Sequence, residues 1–423
     1  MAEVPRQTTD NVTHSGKSRL LQDLPAELVE LITLCLPHLD QAALRTTCRE
    51  LEAKTQRPFA LTNFRDKTFL LRDLWSMQTL ADISRHKVYG KVMKDITLVP
   101  WQLEPRAKSS SNRTDAQEAE YACIRTEQDG QWKRELWKHS LRDALKNFAL
   151  AGTCISIAFD ADGCNHNTTD QAEHACRSRP CGRARLERRV GNDECVLASP
   201  SLPRGRHSAQ MLWTILDSGC RVQRLDMSQP WTSVPMQHFG TARVRKAITQ
   251  SQTLATVEKL DLFLDKIVHV EVEVDSDHGA VGFAEFIRHA RDLKHLEFGR
   301  PICSRGDYYL PVPLIYTLLR TVSLPGLRVL ELSHWCVRTK DLLEFLLRHA
   351  NSMRCVVVGG LLDCQTPHMF RTAAQQLYTD ILGAGAQLEQ FSVGDGEYVG
   401  RTYGMADGRW TTKRAVKVRL QWH

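Results

Sequence analysis

The stretches VQRLDM (222–227), VEKLDL (257–262), LKHLEF (293–298), LRVLEL (327–332), MRCVVV (353–358) and LEQFSV (388–393) share one pattern. An apolar residue is followed by two others, a second apolar residue, any residue, and a third apolar residue. MKDITL (93–98) fits the same pattern, and a weaker copy ends in Ile155 and Ile157. The central residues Leu225, Leu260, Leu296, Leu330, Val356 and Phe391 recur at intervals of 34 to 36 residues, with one interval of 26. Such near-constant spacing marks one supersecondary unit per repeat. Helical stripes lie between the copies: Phe283, Phe286, Ile287 and Ala290; then Leu342, Leu343, Phe345, Leu346 and Leu347; then Phe370, Ala374, Leu377 and Ile381. Each unit reads as helix, loop, short strand. Strands that return in the same direction after each helix predict an α/β fold with a parallel sheet, stacked as a solenoid.

Side chains alternate along a strand, so stacking in register sets two columns on the face away from the helices. The residue between the second and third apolar positions gives Asp226, Asp261, Glu297, Glu331, Val357 and Ser392. The residue before the second apolar position gives Arg224, Lys259, His295, Val329, Cys355 and Gln390. One expectation is neutralisation across strands, by pairs such as Arg224 with Asp261 or Lys259 with Glu297. The other is a substrate-binding ladder of Asp226, Asp261, Glu297 and Glu331, at a strand spacing of ~4.8 Å. In that reading Glu297 and Glu331 face fewer cations and accept a basic segment of a protein substrate. The whole pattern resembles irregular leucine-rich repeats, although most copies lack the asparagine that regular repeats carry after the strand.

The sharpest signal outside the repeats is LLQDLPAELVELITLCLPHLDQAALRTTCRELEAKTQRPF, residues 20–59. Pro25 suits a first helical turn, and Glu27 places negative charge at the positive end of the helix dipole. Leu28, Leu31, Ile32, Cys35 and Leu36 then lay one apolar stripe until Pro37 interrupts. Asp40 is read as the cap of a second helix, with Leu44, Thr47, Cys48 and Leu51 as its stripe, and Pro58 as its close. Periodicity alone describes a helical hairpin.

The order of residue types goes further. Leu21, Leu24-Pro25, Glu27-Leu28, Ile32, Leu36, Asp40, Leu44, Cys48 and Leu51 resemble the F-box motif, with its LPxEL start and TCREL-like end. The following residues 64–99 look like the continuation in F-box proteins of filamentous fungi. The resemblance implies a three-helix F-box over 20–62, docked on a Skp-family adaptor that a cullin scaffold holds, with Leu24, Pro25, Leu28, Ile32 and Leu36 as adaptor contacts. It implies a substrate-recognition subunit of an SCF-type ubiquitin ligase, with 63–423 as the leucine-rich-repeat-like substrate-binding domain. The alternatives are an F-box scaffold that directs no ubiquitin transfer and a generic repeat-type interaction module. A module of about 40 residues cannot bury its own stripe, so a partner or the following domain has to cover it.

Composition agrees with an interaction protein. The 423 residues are 42% hydrophobic and 25% charged, as in globular proteins. Residues 1–19 are polar and read as disordered, with no secretory signal, and no run is apolar enough to span a bilayer. A cytoplasmic or nuclear protein is expected, monomeric outside its complex and without membrane or nucleic-acid partners. The 13 cysteines are scattered and predict no disulfide framework. The net charge of +7 is concentrated near residues 177–206.

Residues 101–130 and 161–206 are polar and read as loops or partly disordered insertions. Cys164, His166, His174, Cys176, Cys181 and Cys195 in the second lack paired CxxC knuckles, so no metal and no cofactor is expected. No GxSxG elbow, phosphate-cradling glycine loop or HExxH helix is present, so no catalytic residues are assigned and the chain is not expected to be an enzyme. The strand-like AVKVRLQW (415–422) is expected to close the last unit.

Overall fold

The computed structural model describes residues 20–100, 102–103, 115–160, 181–190, 197–198, 206–228, 232, 234–265, 276–299, 313–361, 363, 367–394, 401–406 and 409–414. They fall into two compact units that divide between Phe64 and Arg65.

The first unit is helical: α1 (Ala26–Cys35), α2 (His38–Thr47) and α3 (Arg49–Phe64), with α1 and α2 each packed on α3. Pro25 is the N-cap of α1, and Glu27 lies in its first turn. Asp40 does not cap α2. Pro37 takes that position, so Asp40 falls within the first turn, where it still meets the positive end of the helix dipole. Pro58 does not close the segment either. It lies buried inside α3, which runs six residues further to Phe64, so a packed environment outweighs the lost backbone donor. The interior holds Val29, Leu51 and Ala60 beside polar Thr33, Gln41, Thr55 and Asn63. Each of these polar groups has a hydrogen-bond partner, as burial demands. Gln41 Nε2 donates to the Leu36 carbonyl (3.0 Å), Asn63 Nδ2 donates to Gln41 Oε1 (3.3 Å), and Thr33 Oγ1 donates to the Val29 carbonyl (2.7 Å).

The second unit is α/β. Nine strands run parallel in chain order: β1 (Asp66–Leu70), β2 (Asp95–Val99), β3 (Cys154–Phe159), β4 (Arg221–Met227), β5 (Lys259–Asp265), β6 (His295–Gly299), β7 (Val329–Val337), β8 (Cys355–Leu361) and β9 (Gln390–Gly394). β10 (Arg401–Ala406) and β11 (Arg409–Arg414) continue the sheet antiparallel beyond β9. Helices join the strands: α4 (Leu74–Arg85), α5 (Asp115–Lys133), α6 (Leu136–Leu150), α7 (Arg183–Val190), α8 (Arg206–Leu216), α9 (Ala242–Gln250), α10 (Ser276–His289), α11 (Pro313–Thr321), α12 (Thr339–Arg348) and α13 (Pro367–Gly383).

The strands lie in one register from β4 to β9. Leu225, Leu260, Leu296, Leu330, Val356 and Phe391 are paired in turn and fully buried. One backbone motif repeats along the array. The carbonyl of Lys294 accepts the N–H groups of both Arg328 (2.8 Å) and Val329 (3.0 Å), and the Arg328 carbonyl accepts those of Arg354 and Cys355 (2.8 and 2.9 Å). The carbonyls of Arg65, Glu258 and Arg354 do the same for Lys94/Asp95, Lys294/His295 and Glu389/Gln390.

Several elements depart from the sequence reading. The polar 101–130 segment is not a loop throughout, because α5 begins at Asp115. Tyr121, Ile124, Gln128 and Trp132 recur on one side of that helix and are buried. α7 likewise lies inside 161–206 and is tied to α5 by the Arg189–Glu120 ion pair. β1, β10 and β11 were not foreseen. AVKVRLQW lies outside the described residues. A close contact explains one helical glycine. A Cβ on Gly282 of α10 would stand 2.1 Å from the Phe239 carbonyl, which lets Phe239 reach Phe283 (5.0 Å between rings) and Phe286 (5.3 Å).

His349, at the end of α12, ties that helix to the segment after α11. Its Nδ1–H donates to the Phe345 carbonyl (2.7 Å) and its Nε2 accepts from the Leu324 N–H (2.8 Å). Only a neutral ring can do both. Burial holds its pKa below the ordinary 6.5, so the unfolded chain binds the proton more readily. This contribution to stability is complete above the unfolded value and is lost as pH falls from there through the folded value. Unfolding free energies of the native chain and His349→Gln from denaturant titration are expected to differ by about 1–3 kcal/mol at pH 7.5. The gap should shrink toward pH 5.5; a pH-independent gap would contradict the assignment.

Candidate functional site

Each unit presents one surface of interest. In α1 the burial is inverted relative to side-chain size. Val29 and Thr33 are buried, whereas Leu28, Leu31 and Ile32, which share one helical face, are 47%, 60% and 37% exposed. Leu34, Cys35, Leu39 and Pro25 are exposed as well. Of the residues assigned from the F-box resemblance, Pro25, Leu28 and Ile32 are therefore open, while Leu24 and Leu36 are half-buried. Leu31 and Leu34 belong to the same open apolar surface and were not among the residues assigned. The three-four spacing that identified the stripe does not say which side of the stripe is covered. Lys54 of α3 holds the LPxEL segment in place, its Nζ donating to the carbonyls of Gln22 (2.5 Å) and Leu24 (3.0 Å).

On the sheet of the second unit, the two expected columns form as read. Asp226 pairs in register with Asp261, Asp261 with Glu297, Glu297 with Glu331, Glu331 with Val357 and Val357 with Ser392. Beside them stand Arg224, Lys259, His295, Val329, Cys355 and Gln390. The four acids are not equivalent. Asp226 is fully engaged: Arg224 donates to Oδ2 (2.7 Å), and the N–H and hydroxyl of Ser228 donate to Oδ1 (3.1 and 2.7 Å). Asp261 is buried, unlike the other three acids of the column. Its Oδ2 lies 3.6 Å from Arg224 and 3.5 Å from Lys259. Burial, with the charge of Asp226, pushes its pKa up to about 6. Glu297 and Glu331 stay half-buried beside His295, at 3.7 and 3.9 Å from its Nε2. His295 holds Glu297 below its ordinary carboxylate value. The Arg224–Asp261 pairing across strands follows the neutralising expectation, and the two glutamates remain the accessible acids.

Of the histidines and cysteines weighed as a zinc cluster, Cys164, His166, His174, Cys176 and Cys195 lie outside the described residues. Cys181 sits against β1, its N–H donating to the Thr68 carbonyl (2.8 Å), and burial raises the pKa of its thiol. Among the described residues no helix is long and apolar enough to cross a membrane.

The sequence matches no protein-family model and no curated protein. The likeness of residues 20–62 to the F-box thus rests on the residues quoted for it.

Large apolar side chains that face solvent contribute little to the fold, so Leu28→Ser with Leu31→Ser is expected to change stability by no more than about 0.5 kcal/mol. Val29→Ala, one position away and buried, is expected to cost about 1–3 kcal/mol. Equal losses in the two chains by chemical denaturation would show that the leucines are core residues instead.

Proposed function

We propose that this chain is an interaction subunit of an SCF-type ubiquitin ligase, docking on a Skp-family adaptor, and through it on a cullin, by the open apolar face of α1. The observation that carries this reading is the inversion in α1, where Leu28, Leu31 and Ile32 point to solvent while Val29 and Thr33 point inward. A surface of contiguous leucine and isoleucine side chains is costly in water and favours a covering partner. The order of residues in the LPxEL segment names the kind of partner. Leu24, Pro25, Leu28, Ile32 and Leu36 are the proposed contacts, joined by Leu31 and Leu34.

The second unit serves as the substrate-binding part. Glu297 and Glu331 are the acids of its outer sheet face that a basic segment of a protein substrate would meet, with Asp226 and Asp261 holding the surrounding charges in place. In this reading the subunit does no chemistry of its own. Such a receptor works in the cytoplasm or nucleus, where adaptor and cullin reside.

Co-purification tests both halves at once. The native chain is expected to retain the adaptor, and Leu28→Ser with Leu31→Ser is expected to lose it by tenfold or more while remaining folded by circular dichroism. Glu297→Lys with Glu331→Lys is expected to keep the adaptor and lose the basic substrate. A native chain that retains no adaptor, or an apolar-face variant that retains it fully, would overturn the reading.

A further inference from the structure

Asp261 on β5 and His295 and Glu297 on β6 bring their ligating atoms within 4.8 Å of one another on the outer face of the sheet. We propose that these three residues bind a divalent transition-metal ion, zinc being the best match. The inference stands whether or not the adaptor reading holds.

Distances are the first argument. His295 Nε2 lies 3.8 Å from Asp261 Oδ1, 3.7 Å from Glu297 Oε2 and 3.9 Å from Glu331 Oε1. All three contacts are longer than the ~2.7–2.9 Å of a charge-assisted hydrogen bond, which leaves room for an ion between the ring and the carboxylates. With metal–ligand bonds of about 2.0–2.2 Å, tetrahedral ligands lie roughly 3.3–3.6 Å apart, a few tenths closer than the His295 contacts, and the three ligating atoms all lie within 4.8 Å of one another. Side-chain rotations on binding would close the remainder.

The second argument is unmet polarity. The Asp261 side chain is only 3% exposed, and its Oδ1 has no hydrogen-bond partner, nor has the buried Nε2 of His295 that faces it. Arg224 and Lys259 both approach the other oxygen, Oδ2. A buried carboxylate oxygen and a ring nitrogen left without hydrogen bonds are unfavourable, and a cation between them would satisfy both.

Charge and donor type agree. Four acids, Asp226, Asp261, Glu297 and Glu331, stand against two full cations, Arg224 and Lys259, a balance that favours a divalent cation. An imidazole among carboxylates suits zinc or a neighbouring transition ion, whereas calcium and magnesium prefer oxygen alone. The ligands sit on paired strands, which fixes their geometry. Glu297 and Glu331 are each about 30% exposed, so the ion can be reached from solvent. An ion held here and a basic segment would compete for Glu297.

The test uses the full chain, stripped with a chelator and titrated with zinc against a chromophoric competitor. One ion per chain is expected, weakened about 10- to 100-fold or more in His295→Gln and in Glu297→Gln. The isosteric Glu297→Gln carries the comparison should His295→Gln fail to fold. Cobalt substituted for zinc should give visible d–d bands without thiolate charge transfer. No bound zinc, zinc retained equally by both variants, or a thiolate band that marks a cysteine site would overturn the proposal.

Discussion

A single backbone carbonyl that accepts the N–H groups of the next strand's first residue and of the residue just before it sets the geometry of the larger unit. The arrangement recurs at Arg65, Glu258, Lys294, Arg328 and Arg354. Each such carbonyl uses both lone pairs, so the next strand cannot slip by one residue without losing two hydrogen bonds and turning its apolar side chains outward. Register follows from that constraint, and the contents of both faces follow from register. The Leu225-to-Phe391 column lies inside, and the acids with their cations stand in line outside. The cluster around His295 is a consequence of stacking, since its residues come from four successive strands and meet only once those strands lie in register.

Strands with apolar residues on both sides of a central leucine were legible because their spacing repeats and each copy supports the others. β1 has only Phe69 and Leu70 buried, at its end, and no preceding copy of the pattern, so nothing distinguished it from the segment before it. RTYGMA and RWTTKR of β10 and β11 alternate too weakly to show a period. α5 was hidden by composition. Its inward residues Tyr121, Ile124, Gln128 and Trp132 are a narrow strip in a polar sequence, and one of them is itself polar. In α1 the stripe was visible but not its direction, because periodicity identifies a face without saying whether the chain itself covers it.

The charged sheet face was legible as two columns of residue types, and the structure differentiates its members. Asp226 is committed to Arg224 and Ser228, Asp261 is buried, and Glu297 and Glu331 remain reachable. Identity alone could not separate these roles, because all four acids occupy the same position in the pattern. What separates them is local: a Ser228 that turns back on Asp226, and flanking Arg224, Lys259 and His295 side chains around Asp261.

Hydrogen exchange read by mass spectrometry on the full chain tests the shared register most directly. Peptides carrying the amides of His295, Val329, Cys355 and Gln390 should be strongly protected and should open together, as one cooperative block. Separate opening of these strands, or exchange at loop-like rates, would contradict a sheet held in register by paired donors on single carbonyls.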